Sequence, residues 1–139
     1  MAPADVRLRV GVDIVGVKRL EAVVGNDLAR QEAVFTPTEL EYCRGKRRAF
    51  EHLAARFAAK EAVLKAFGTG VSQRMRWTDV EVVNDRRGRP LVRLDGAVAR
   101  FAERHGLRSI DVSLSHTNDL ALAHVLTVWA GAEQECAST

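Results

Sequence analysis

Apolar and polar positions alternate with period two from Val6 to Val17, with Val6, Leu8, Val10, Val12 and Ile14 carrying the apolar phase. β-Branched residues at that period predict a strand whose apolar face is buried. The period then lengthens to that of a helix through Leu20, Val23, Val24 and Leu28. Thr36-Pro-Thr-Glu39 is a helix start, with Thr36 as N-cap, Pro37 as first helical residue and Glu39 as the acid of a capping box. That helix ends near Arg44-Gly45. From Phe50 to Phe67, Leu53, Phe57 and Leu64 recur with Ala54, Ala58 and Ala62 at helical spacing, uninterrupted by Pro or Gly. Gly68 takes the position that ends a helix in the left-handed conformation. Trp77 to Val83 and Leu91 to Leu94 flank the turn 84–90 as a hairpin. Asp95 caps a helix over Gly96 to His105, closed by Gly106. Ile110 to Ser115 and Ala121 to Val128 form a second hairpin about Thr117-Asn-Asp119. Strand, helices, hairpin, helix, hairpin is the order of an α+β fold with a mostly antiparallel sheet, not of a doubly wound one.

The 139 residues make one domain with a core at about 6–130 and a short, frayed tail from Gly131. With 47% apolar and 28% charged residues, the chain is neither disordered nor a disulfide scaffold. The most apolar stretch, Leu120 to Ala132, is too short to span a bilayer and has Asp119 and His124 beside or within it. No apolar leader segment follows Met1, and Cys43 and Cys136 lie far apart with no metal-ligand spacing. A cytoplasmic protein with reduced thiols is the expectation, although one bridge is compatible with the sequence. The net charge of +3 suits an acidic ligand or partner. Nucleic acid is not expected: aromatics are 6% and there is no recognition-helix or zinc signature.

Three features carry candidate chemistry. On the long helix, Arg56 and Lys60 are four residues apart, as are Glu61 and Lys65, which places cations and a carboxylate on adjacent stripes among alanines. A solvated face with ordinary ion pairs, each worth about 0.3–0.5 kcal/mol, reads the same way. Asp13 interrupts an apolar strand and needs a cation, a metal or a helix N-terminus there, unless it is a strand-end turn residue. Ser113, Ser115 and His116 end a strand before a tight turn. A Ser–His–Asp119 nucleophile is rejected, because adjacent strand residues point to opposite faces and no nucleophile elbow is present. No P-loop, dinucleotide fingerprint or His-Glu-x-x-His motif occurs.

In this order and spacing the blocks resemble the holo-acyl-carrier-protein synthases, the small trimeric class of 4′-phosphopantetheinyl transferases. The resemblance runs from about Val10 to Val128. It rests on Gly11-Val-Asp-Ile14 with Arg19 downstream, Phe35-Thr-Pro-Thr-Glu39, Trp77-Thr-Asp-Val-Glu81, Gly88-Arg-Pro90 and Ser113-Leu-Ser-His116. Most specific is Ala55-Arg-Phe-Ala-Ala-Lys-Glu-Ala-Val-Leu-Lys-Ala-Phe-Gly-Thr-Gly70. It implies a long helix on an antiparallel sheet, and trimers with active sites at subunit boundaries. The implied reaction is metal-dependent transfer of the phosphopantetheine arm of coenzyme A to a serine of an apo acyl carrier protein, with adenosine 3′,5′-bisphosphate leaving.

Carried over residue by residue, the resemblance makes Asp13 and Glu61 the ligands of Mg²⁺ or Mn²⁺, Lys65 the conserved helix lysine and His116 the strand-end histidine. Two carboxylates completed by phosphate and water oxygens suit Mg²⁺. Lys65 would stabilise the departing charge. Arg56, Lys60 and His116 are candidates for the remaining phosphates, and Gly68, Thr69 and Gly70 for a turn on which coenzyme A lies. The serine proton goes to Glu61 or to a water on the metal. Arg19, Lys46, Arg47 and Arg48 are expected to meet an acidic helix of the carrier. Many members carry Glu where this chain has Gly16. A silent trimeric homologue that binds coenzyme A or a carrier without turnover is the alternative reading.

Overall fold

In a computed structural model, which describes residues 5–70 and 74–131, strand β1 (Val6–Gly16) runs along helix α4 (Ala49–Phe67). Strand β1 pairs antiparallel with β5 (Leu120–Ala130), and β5 pairs antiparallel with β4 (Leu107–His116), giving a three-stranded sheet in the order β1-β5-β4. Strands β2 (Val80–Asn84) and β3 (Pro90–Leu94) form a separate antiparallel ribbon. The expected antiparallel strands are all present, divided between two sheets. Helices α1 (Val17–Val24), α2 (Leu28–Val34) and α3 (Pro37–Arg44) precede α4, and α5 (Gly96–Arg104) lies between β3 and β4.

Local chemistry accounts for the elements. The Thr36 side chain accepts from the Glu39 amide while Glu39 accepts from the Thr36 amide, so the capping box forms as expected. Helix α4 ends at Gly68 with φ 76, a conformation only glycine adopts without strain. The single helical run expected after the first strand is two helices, because the chain turns at Gly25 and Asp27 then caps a new one. Trp77–Asp79 is a 3-10 turn rather than strand, fixed by the Asp79 carboxylate accepting from the Arg76 amide. The polar tail and Cys136 lie outside the described residues. Cys43 is buried, and burial pushes its thiol up to about 11, so it stays protonated.

The alternation of β1 points the opposite way from the expectation. Val6, Leu8, Val10, Val12 and Ile14 face away from α4 and are 49–65% exposed. The other phase, Arg7, Arg9, Gly11, Asp13 and Val15, faces inward. The reason lies at Gly11. A Cβ built there would stand 1.9 Å from the Ala62 carbonyl oxygen and 2.9 Å from the Ala66 amide nitrogen. Strand backbone rests on helix backbone, and no larger residue fits at that position. The buried alanines Ala58, Ala59, Ala62 and Ala66 supply the matching flat face of α4.

The Gly11→Ala substitution should therefore destabilise the chain by about 2–3 kcal/mol or more, since both atoms it meets are main-chain atoms that cannot swing away. The substitution of exposed Val10 by Ala should cost the isolated chain under about 1 kcal/mol. Urea denaturation of the two variants checks the contrast.

Candidate active site

The inward phase of β1 carries Asp13 to the middle of α4. Its Oδ1 accepts from Lys65 Nζ at 2.7 Å, and the same ammonium donates to the Val12 carbonyl at 3.0 Å. Asp13 is 9% exposed, and its Oδ2 is buried without a hydrogen-bond partner. Glu61 faces it from α4. Burial first, and then the adjoining Asp13 carboxyl, push Glu61 up to about 7, against the opposing pull of Lys65 and Arg19. Lys65 is held above its usual range by its hydrogen bond to Asp13 and stays cationic. Two carboxylates turned toward one another, with one oxygen unmatched, repel when both ionise. A cation between them removes the repulsion.

That donor set fits a hard divalent ion of the Mg²⁺ type. Among the described residues no group of three or more His, Cys, Asp or Glu side chains could cage a metal. A pair of carboxylates, with other positions left for phosphate and water, is what Mg²⁺ takes. Glu61 also borders a cavity of about 500 Å³ walled by Val15, Leu20, Val23, Phe57 and Trp77, with Arg19 at its polar side. Gly16 lies in that wall. A Cβ there would meet only the Arg19 Cβ at 3.6 Å, so the site accepts a side chain at this position although the chain supplies none.

Lys60 does not join this group. It is fully buried, donating to Glu39 Oε1 at 2.7 Å, to the Trp77 carbonyl at 3.1 Å and to the Val80 carbonyl. Glu39 Oε2 accepts from the Val82 amide at 2.9 Å. The pair ties α3, α4 and β2 together and leaves no Lys60 donor free for a phosphate, which corrects the expectation that it binds one. Arg56 shares that face and is also buried, but its guanidinium donates to Asn84 Oδ1 at 2.7 Å and stacks 4.3 Å from the Tyr42 ring. Its Nε has no partner.

Arg56 and His116 border a second cavity, of about 510 Å³, together with His52, Asn84, Arg89 and Ser113. The His116 ring lies 5.2 Å from that of His52, and its Nδ1 is 3.6 Å from the buried Glu51 carboxylate. Lys46, Arg47 and Arg48 rim an adjoining hollow that also contains His116. Arg48 is bonded to Asn118 and paired with Glu51 at 3.6 Å. So the fold gathers the expected residues into two clusters. Asp13, Glu61, Lys65 and Arg19 form one; Arg56, His116 and Lys46 to Arg48 form the other. On α4, Arg56 and Lys65 are nine residues apart, two and a half turns, and so on opposite sides of the helix about 13–14 Å apart along it. Gly68, Thr69 and Gly70 continue from Lys65, with Gly68 and Gly70 both in the left-handed region.

A profile described as the 4′-phosphopantetheinyl transferase superfamily matches residues 9–127. The chain belongs to that superfamily. Among curated relatives, a holo-[acyl-carrier-protein] synthase of Desulforudis audaxviator is 48% identical over 125 residues, covering 87% of this chain and 92% of the relative. One from Geotalea daltonii is 46% identical over 114 residues, covering 81% and 91%. Among solved structures, an ACPS–CoA complex from Chronobacterium ammoniagenes superposes with a TM-score of 0.79 at 32% identity, covering 90% of this chain and 99% of that one. A holo-(acyl-carrier-protein) synthase from Bacillus anthracis in complex with CoA (3′,5′-ADP) gives 0.72 at 31% identity, covering 88% and 96%.

The superfamily motif on α4 thus mixes two kinds of residue. Glu61 and Lys65 face the carboxylate cluster, whereas Lys60 holds the fold. Sequence reading missed His52, Tyr42 and Asn84 in the second cavity and Glu51 in the hollow beside it. His52 stands one turn before Arg56, and that i,i+4 spacing was the available signal. Lys60→Met should destabilise the chain by about 3–5 kcal/mol, because it leaves the Glu39 charge buried and unpaired. Adding Glu39→Gln should restore part of that loss, and thermal melts of the single and double variants check it.

Proposed function

We propose that the chain is a holo-[acyl-carrier-protein] synthase of the cytoplasm, moving the 4′-phosphopantetheine arm of coenzyme A to a serine of an apo acyl carrier protein. The observation that carries this is the Asp13–Glu61 pair, one oxygen unmatched, with Lys65 beside it, inside a chain similar over most of its length to proteins of that name. Asp13 and Glu61 would hold Mg²⁺ or Mn²⁺, which when bound polarises the phosphate under attack.

The chain's own groups supply the rest. Lys65, cationic and more than half exposed, lies next to the carboxylates and offers its ammonium to the diphosphate. Glu61 is the carboxylate that borders the open cavity, and takes the serine proton on a carboxylate oxygen. The serine oxygen then bonds to the phosphorus that carries the pantetheine arm. The bond from that phosphorus to the oxygen bridging it to adenosine 3′,5′-bisphosphate breaks, and the charge left there is met by Lys65. Gly68, Thr69 and Gly70 form the turn against which coenzyme A lies. Arg56 and His116 receive the 3′-phosphate. Arg19, with the exposed Val23 beside it, and Lys46 to Arg48 face the acidic carrier.

One coenzyme A cannot use both clusters of one chain. Its 3′-phosphate and 5′-diphosphate are separated by a single ribose, and Arg56 and Lys65 lie on opposite sides of α4. The working site therefore joins the Asp13–Glu61–Lys65 cluster of one copy to the Arg56–His116 cluster of the next. A homotrimer provides that boundary. The exposed apolar face of Val6, Leu8, Val10, Val12 and Ile14, continued on β5 by Leu120 and Leu126, is the surface left to be covered. Contiguous exposed apolar surface of this kind marks an interface.

Intact mass spectrometry of an apo acyl carrier protein incubated with the chain, coenzyme A and Mg²⁺ should show one added phosphopantetheine. Omitting the metal should abolish the gain, and Asp13→Ala or Glu61→Ala should slow it at least ~100-fold. A carrier that stays unmodified while coenzyme A binds would make the chain a silent homologue.

The composite site has its own test. The Asp13→Ala/Glu61→Ala and Arg56→Ala/His116→Ala variants should each be inactive alone. When they are unfolded and refolded together, activity should return in part, because some boundaries then pair two intact clusters. No recovery in mixed trimers would place both clusters in one working site within a chain.

A further inference from the structure

Arg7 and Arg9 of β1 have no role in the transferase reading, and they wall a third cavity of about 330 Å³. Phe67, Gly68, Thr69, Phe101, His105 and Trp129 form the rest of its wall, where α4 ends and α5 crosses. The apolar side is closed by aromatic packing: Phe67 stacks on Phe101 at 5.8 Å, meets Trp129 edge-on at 5.0 Å, and His105 lies 4.1 Å from Phe101. The polar side holds an unmatched donor. Arg7 Nε is shut off from solvent and has no hydrogen-bond partner among the described residues. A guanidinium has no acceptor of its own, and no described residue offers one to that N–H, so an anion entering the cavity would satisfy it. A buried, unanswered cationic donor is costly, and an anion relieves it.

We infer that this cavity is a binding site for a small organic anion with an apolar body, of the medium-chain carboxylate class. A planar carboxylate matches the edge of a guanidinium, and the aromatic walls take the hydrocarbon. The volume is at the small end of ligand pockets. The site shares Gly68 and Thr69 with the turn proposed to carry coenzyme A, but its Arg7 precedes Asp13 by six strand residues, about 20 Å along β1. It does not rest on the transferase reading.

The test titrates octanoate against the Trp77→Phe variant, in which Trp129 is the only remaining tryptophan and reports from the cavity wall. A saturable change in Trp129 fluorescence is expected. Octanol, with the same body and no charge, and inorganic phosphate, with charge and no body, should each bind at least about tenfold more weakly. Adding Arg7→Gln should weaken octanoate by a similar factor with the circular dichroism melt unchanged. No saturable change, octanol or phosphate matching octanoate, or unaltered binding in the Arg7→Gln variant would each overturn the inference. The comparison of octanoate with octanol decides it even if the Arg7→Gln variant fails to fold.

Discussion

The approach of two backbones, strand β1 onto helix α4 at Gly11 and Ala62, is the constraint from which the site follows. With no side chain between them, the strand lies as near the helix as main chain can lie. Asp13, two residues further on the same face, is then carried to the helix surface with nowhere to go but toward Glu61 and Lys65. A carboxylate there would be costly if isolated. It is tolerated because Lys65, one turn beyond Glu61, reaches back to it and to the Val12 carbonyl. Close packing and the clustering of charge are one arrangement: a larger residue at 11 would lift the strand and draw the two carboxylates apart.

The same constraint divides the two faces of β1 by size rather than by hydrophobicity. The inner face takes glycine, aspartate and the stems of arginines, since helix backbone leaves no room for a row of valines. The apolar row points outward. Period-two alternation announces a strand and states which residues share a face, but it assumes that the apolar face is the one the chain itself buries. That assumption inverts from Val6 to Ile14, where the chain leaves the apolar face exposed, the face that the proposed trimer would cover.

Elements marked by local chemistry were legible for that reason. The Thr36–Glu39 capping box, the left-handed Gly68 and the two hairpin turns each depend on residues within a few positions of one another, and each formed where the sequence indicated. The carboxylate pair was legible only through the resemblance, since 48 positions separate Asp13 from Glu61 in the chain. Lys60 was misread for a related reason. It and Glu61 are neighbours in sequence but about 100° apart around the helix. One points into a buried pocket made by α3 and β2, the other toward the cavity. Helical spacing says that they diverge, but not which of them meets water. Glu39 settles that, and its link to Lys60 runs between segments no local pattern connects.

Division of labour along α4 explains why a chain this short can build a site for a ligand as long as coenzyme A. One helix presents cations at Arg56 on one side and at Lys65 on the other, and buries Lys60 between them as a structural tie. A single fold therefore shows two half-sites with opposite aspects, each stabilised from within: Arg56 by Asn84 and Tyr42, Lys65 by Asp13. Half-sites that face apart cannot close on one ligand inside one molecule, but in the proposed trimer, repeated around an axis, they would meet in every gap. The outward apolar row on β1 and β5 would supply the adhesion that such a ring requires. In the proposed assembly one strand serves both ends: its inner face sets the carboxylates, and its outer face would bring up the neighbour that completes them.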